Sequence, residues 1–180
     1  MLHGRRGARV LRSAWRRICT GSDVSGRYPH IERMSTRWND NDAFGHVNNV
    51  MYYAYMDTAV NNHLISQGVT GPRYVVESSC RYLHPLKYPQ PVEVGLRITK
   101  LGRSSACYAV GIFSLPAERT ITGSPTPPGR QLCAEGTFVH VYVDDAGKPA
   151  PMPESTRRAL LPLTEQPDKQ GQGPANADLA

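Results

Sequence analysis

The sequence predicts an α+β domain: one long helix packed against a largely antiparallel sheet. Two observations predict it. Apolar residues keep sustained helical spacing once in the body of the chain, from Val47 to Ile65. After Pro72 the period changes to two and holds through four successive segments. The scale agrees, since 180 residues with 39% hydrophobic content suit one domain with a real core.

The domain is expected to begin near Tyr28. Ile31–Trp38, "IERMSTRW", alternates weakly and holds β-branched and aromatic residues, which reads as a strand. The polar stretch "WNDNDAFGHVNN" (Trp38–Asn49) follows. From there Val47, Val50, Met51, Ala54, Thr58 and Ile65 form an apolar stripe, widened by Tyr55, Ala59 and Leu64. A broad-faced, largely buried helix of about five turns is expected. Gly68 and Gly71-Pro72 stop it.

"RYVVESSCRYL", "PVEVGLRITKL", "SACYAVGIFSL" and "QLCAEGTFVHVYV" read as strands, the last ending at the turn cluster "DDAGKP". Pro116–Arg130 is long for a hairpin connection and reads as a mobile surface loop. Pro153–Leu161 suits a short closing helix. The polar tail reads as disordered. The organisation is therefore a leader at 1–27, a domain at 28–163 and a tail at 164–180.

The net charge of +6 does not point to nucleic acid. Residues 1–27 hold seven arginines and one acid, Asp23, which accounts for all of it. In the remainder 14 basic residues balance 14 acidic ones, so the body has no excess charge to hold a phosphate backbone. The leader has the composition of a mitochondrial transit peptide. Wound as a helix, it gathers Arg5, Arg9, Arg12 and Arg16 on one face and Leu11, Ala14, Trp15 and Ile18 on another. Mitochondrial import, to the matrix, is the expectation; a disordered basic tail on a cytoplasmic protein is the alternative. No apolar run approaches the roughly 18–20 residues of a membrane span. Cys19, Cys80, Cys107 and Cys133 are far apart, with no CxxC pair. Reduced thiols are expected, with no metal and no cofactor.

The polar stretch has two readings. Asp40, Asp42 and Asn48 can simply cap the helix. Alternatively, unpaired N–H groups at a helix start that includes Val47, Asn48 and Asn49 hold a carbonyl oxygen as it becomes an oxyanion. Asp42 then attacks the carbonyl carbon or activates a water. Gly45 lets the turn bend close to a ligand. His46 alone is more often a structural hydrogen-bonding residue than a catalytic base.

"DNDAFGHVNNVMYY" resembles the signature of the 4-hydroxybenzoyl-CoA thioesterase group of the hotdog-fold superfamily. The likeness extends through "CRYLHPLKYPQPVEVGLRITKLGRSSACYAV" and covers roughly Glu32–Val143. It implies a hotdog fold: a five-stranded antiparallel sheet wrapped around one long central helix. It implies an acyl-CoA thioesterase with Asp42 as the catalytic aspartate, nucleophile or general base, the Asn49 backbone N–H polarising the thioester carbonyl, and His46 and Asn48 shaping the loop. The acyl group would lie near Val50, Met51, Tyr53 and Ala54. Arg103, Ser104 and Ser105 of "GRSS" would hold CoA, often for the partner subunit of a homodimer or homotetramer. Two other readings compete: a hotdog dehydratase or hydratase, and a non-catalytic acyl-CoA or acyl-carrier binding module.

Overall fold

A computed structural model describes residues 27–116 and 129–164. Residues 1–26, 117–128 and 165–180 lie outside the described residues, and with them the expectations of a transit peptide, a mobile loop and a disordered tail.

The elements run β1 (His30–Met34), α1 (Asn49–Ser66), β2 (Arg73–Tyr82), β3 (Val92–Leu101), β4 (Ser105–Ser114), β5 (Gln131–Tyr142) and α2 (Glu154–Leu160). The five strands form one sheet in the order β1-β3-β4-β5-β2, antiparallel at every pairing. This is the α+β layout the sequence predicts. β1 stops four residues short of its expected end. The backbone turns there because Arg37 N–H and Arg37 Nε both donate to Asp40, and Trp38–Asp40 coil into a 3-10 turn.

Alternation along the strands sets the core. Val94, Leu96 and Ile98 of β3, Tyr108, Val110 and Ile112 of β4, and Ala134 and Phe138 of β5 are buried in one cluster with α1. The helix itself sits differently from expectation. Its buried side is Tyr52, Tyr55, Met56, Ala59, Val60, His63 and Leu64, while Val50 is 71% and Ile65 62% exposed. Ala54 and Thr58 are exposed as well. Apolar residues lie on two sides of this helix, so periodicity alone does not select the side that meets the sheet. The larger aromatic side wins, since each fully buried ring contributes about 1.5–3 kcal/mol. Gly136 lets the helix close in: a Cβ there would collide with Met56 Sδ and come within 2.9 Å of Ser79 O.

On the opposite face Tyr28, at the expected start of the domain, is buried in a notch over Gly95 and Gly111. Its ring meets Phe113 edge-on at 5.8 Å. The exception to burial is β2. Among the described residues it pairs only with β5, and Tyr74, Val75, Val76 and Tyr82 on it are exposed. An unpaired edge with apolar side chains is a template for another strand.

Candidate active site

The loop before α1 is assembled around a buried carboxylate. Asp40 is 1% exposed. It accepts from Arg37 N–H at 2.7 Å, Arg37 Nε at 3.1 Å and Tyr55 Oη at 2.6 Å. Its carbonyl accepts Asn48 N–H at 2.8 Å. Burial, then the hydrogen bond to Asp40, push the Tyr55 phenol well above its usual pKa, so Tyr55 stays a neutral donor. Every lone pair that matters is engaged, as a buried charge requires. Asp40 therefore ties the loop to the helix.

Beyond it, Asn41 pairs with Val47 across a short hairpin. Inside the hairpin Asp42 N–H donates to His46 O at 2.8 Å and Gly45 N–H to Asp42 O at 3.1 Å. Gly45 has φ 77°, the left-handed conformation that favours glycine. Asp42 Oδ1 accepts Phe44 N–H at 2.8 Å, closing an Asx turn. Asp42 Oδ2 has no partner among the described residues. The hairpin is clamped from below, with Val47 N–H on Leu86 O at 2.8 Å and Tyr88 N–H on Asn41 Oδ1 at 3.2 Å.

The helix starts later than expected. Asn48 is extended (φ −61°, ψ 142°) and is the N-cap, its side chain accepting Val50 N–H at 3.0 Å. Val47 and Asn48 thus lie outside the first turn, because an Asn at this point satisfies an orphan N–H better from the cap than from within. Asn49 is the first helical residue. Its N–H has no acceptor among the described residues. Tyr82 Oη donates to Asn49 O at 3.3 Å, and Tyr52 Oη accepts Leu86 N–H at 3.1 Å. The two rings meet edge-on at 5.0 Å. Burial pushes both phenols up to about 12, so this wall of the site carries no charge. One Asp42 oxygen and the Asn49 N–H are thus among the groups with no partner among the described residues, and the N–H also lies at the positive end of the α1 dipole.

Not every candidate gathers there. His46 is half-buried; its carbonyl is engaged and its ring makes no hydrogen bond among the described residues. Val50 and Ala54 lie on the uncovered side of α1. Met51 and Tyr53 are half-buried against the core, Tyr53 meeting Phe138 at 6.3 Å. Arg103, Ser104 and Ser105 stand at the β3–β4 turn. The site end of the sheet is marked by Tyr82 beside Ala134, and the turn by Ser104 O accepting Tyr142 N–H. Tyr142 lies eight positions along β5 from Ala134, on the order of 26 Å of strand. One chain does not bring the two together.

Sequence reasoning missed the Asp40–Tyr55 bond and the Tyr82 contact. No local pattern signals either, since they join residues 15 and 33 apart. Among the described residues no group of three or more His, Cys, Asp or Glu could hold a metal. No helix among them is long and apolar enough to cross a membrane.

The profile of the thioesterase-like superfamily matches residues 36–160. No curated protein matches the chain. Among solved structures, the PA5185 protein from Pseudomonas aeruginosa strain PAO1 is 42% identical, over 77% of this chain and 94% of that one, with a TM-score of 0.66. A Thermus thermophilus thioesterase complexed with coenzyme A and Zn is 28% identical, over 74% of this chain and 92% of that one, with a TM-score of 0.58. A 4-hydroxybenzoyl-CoA thioesterase mutant complexed with 4-hydroxybenzoyl-CoA shares the fold at 15% identity, over 73% and 97% of the chains, with a TM-score of 0.61.

Proposed function

The chain belongs to the thioesterase-like superfamily, and from that premise we propose that it hydrolyses an acyl-CoA to a free carboxylic acid and CoA. One observation carries the reading. Of the two acids in the loop, Asp40 is fully engaged, while Asp42 keeps a free oxygen on the same hairpin that delivers the unpaired Asn49 N–H. In the general-base course, Asp42 takes a proton from water as the oxygen attacks the thioester carbon. The carbonyl oxygen gains charge against the Asn49 N–H and the helix dipole. The C–S bond then breaks, and the proton passes to the departing CoA thiolate. In the nucleophilic course, an Asp42 oxygen attacks the carbonyl carbon, the C–S bond breaks to release CoA as the thiolate, and water then cleaves the resulting anhydride, returning the Asp42 carboxylate, freeing the acid and supplying the proton that the thiolate takes up.

The uncovered edge fits a homodimer or a dimer of dimers. Pairing β2 with a second β2 in antiparallel fashion sets the Tyr82 end of one protomer against the Arg73 end of the other. The partner's β3–β4 turn then approaches this loop, which is how Arg103, Ser104 and Ser105 can serve a site they do not reach within their own chain. The Thermus thermophilus relative, solved with coenzyme A, supports the substrate class. The acyl group would run along the exposed Val50 and Ala54 of α1, flanked by the half-buried Met51 and Tyr53. The Arg-rich leader would direct mitochondrial import.

The experiment is a panel of short, long and aromatic acyl-CoAs with free thiol as the readout. Turnover of at least one ester supports the reading. Tight binding without thiol release would make the protein a binding module instead. Hydration of an enoyl-CoA without thiol release would make it a hydratase. A monodisperse, fully active monomer would refute the shared site.

A further inference from the structure

The β3–β4 turn is held in an unusual way. All four of its carbonyls are consumed by the protein. Gly102 O accepts Arg157 Nη2, Arg103 O accepts Met152 N–H at 2.8 Å, Ser104 O accepts Tyr142 N–H at 2.8 Å, and Ser105 O accepts Gly102 N–H at 2.8 Å. The N–H groups of Arg103 and Ser104, and the hydroxyls of Ser104 and Ser105, make no hydrogen bond among the described residues. Arg103 is exposed. The turn thus presents donors and a positive charge outward, with its acceptors turned in. Successive free N–H groups of this kind form an anion-binding concavity.

Two of those four carbonyl bonds come from the segment Met152–Arg157, about fifty residues further along the chain. That segment is firmly seated. Met152, Thr156 and Leu160 are buried, Ala159 O meets His63 Nε2 of α1 at 3.2 Å, and Thr164 bridges to Ile98 of β3. A guanidinium on this platform fixes the Gly102 carbonyl, and the fork geometry of Arg limits how far it can swing.

We propose that Arg157 is a positioning residue for CoA binding: from α2 it locks the β3–β4 turn donor-side outward, so that the turn is preformed for phosphate. This rests on the reading of "GRSS" as the CoA-binding turn. Without the lock, the turn must order itself when the nucleotide binds, and that cost falls on affinity rather than on the chemical step.

The test compares wild type, Arg103→Ala, Arg157→Ala, Arg157→Lys and the Arg103→Ala/Arg157→Ala pair, on an acyl-CoA and on the matching acyl-pantetheine. Arg157→Ala is expected to raise KM for the CoA ester by about 5- to 10-fold with kcat within about twofold. KM for the pantetheine ester, which lacks the nucleotide, should move several-fold less. Arg157→Lys, which keeps a cationic donor, should recover part of the loss even if Arg157→Ala folds poorly. In the double variant the two effects should be less than multiplicative, because Arg157 acts through the turn that carries Arg103. A raised KM in Arg103→Ala with an unchanged KM in Arg157→Ala overturns the positioning role and leaves the CoA turn standing. Fully multiplicative effects, or an equal loss on both esters, overturn it as well. An unchanged KM in Arg103→Ala would overturn the CoA turn itself.

Discussion

Replacing Asp40 by Asn should unsettle the fold rather than the chemistry. Arg37 N–H and Tyr55 Oη converge on Oδ2 at 2.7 and 2.6 Å, and Arg37 Nε reaches Oδ1 at 3.1 Å. An amide offers one acceptor oxygen and one NH2. If its oxygen takes the Oδ2 place, the NH2 confronts Arg37 Nε; reversed, it confronts two donors. At least one hydrogen bond to a charged group is lost, at about 1.5–3 kcal/mol. The surviving bonds drop from charge-assisted to neutral, roughly halving their strength. With the side chain 1% exposed, water cannot step in. The sum is about 2–4 kcal/mol, a large part of the roughly 5–15 kcal/mol that holds a domain together. Urea unfolding followed by circular dichroism should show the midpoint falling with the slope unchanged. A loss below about 0.5 kcal/mol, the level of an ordinary surface change, would refute the claim that Asp40 is the anchor.

His140 is 2% exposed, and burial, with Arg73 nearby, lowers its pKa from 6.5 to about 4. The unfolded chain therefore binds more protons between those values, so stability should fall by about 3 kcal/mol as pH drops from 6.5 towards 4; a His140→Phe variant with the same pH slope would contradict this. Gly136→Ala should cost about 1–3 kcal/mol through overpacking, since its Cβ meets Met56 Sδ and the Ser79 carbonyl, and a thermal midpoint matching wild type would show that the helix can back away freely.

Much of this architecture is legible in the residues. The switch from helical to alternating period locates β2 to β5 within a residue or two, because half-buried strands must alternate to fill one face. The helix is legible in position and not in rotation. Tyr52 and Met56 on one side and Val50 and Ile65 on the other are similarly apolar, and only the sheet decides between them. The site divides along the same line. Asp40 and Asp42 are chemically identical in the string. Which one is buried depends on Tyr55 and Arg37 converging on Asp40, a tertiary event with no local mark. "GRSS" is visible as a donor-rich turn, but its separation from Asp42, and the Arg157 bond that holds it, follow from the fold alone.

The central claim is that Asp42 does the chemistry, and Asp42→Asn tests it most directly. Asn keeps an oxygen for the Phe44 N–H and so can close the same Asx turn, so the fold should survive with its melting temperature nearly unchanged. It cannot accept a proton from water or form the anhydride. Turnover of the best acyl-CoA from the panel should fall at least ~10²-fold. A folded Asp42→Asn protein with near-normal turnover would contradict the account and leave the polar stretch as a capped turn.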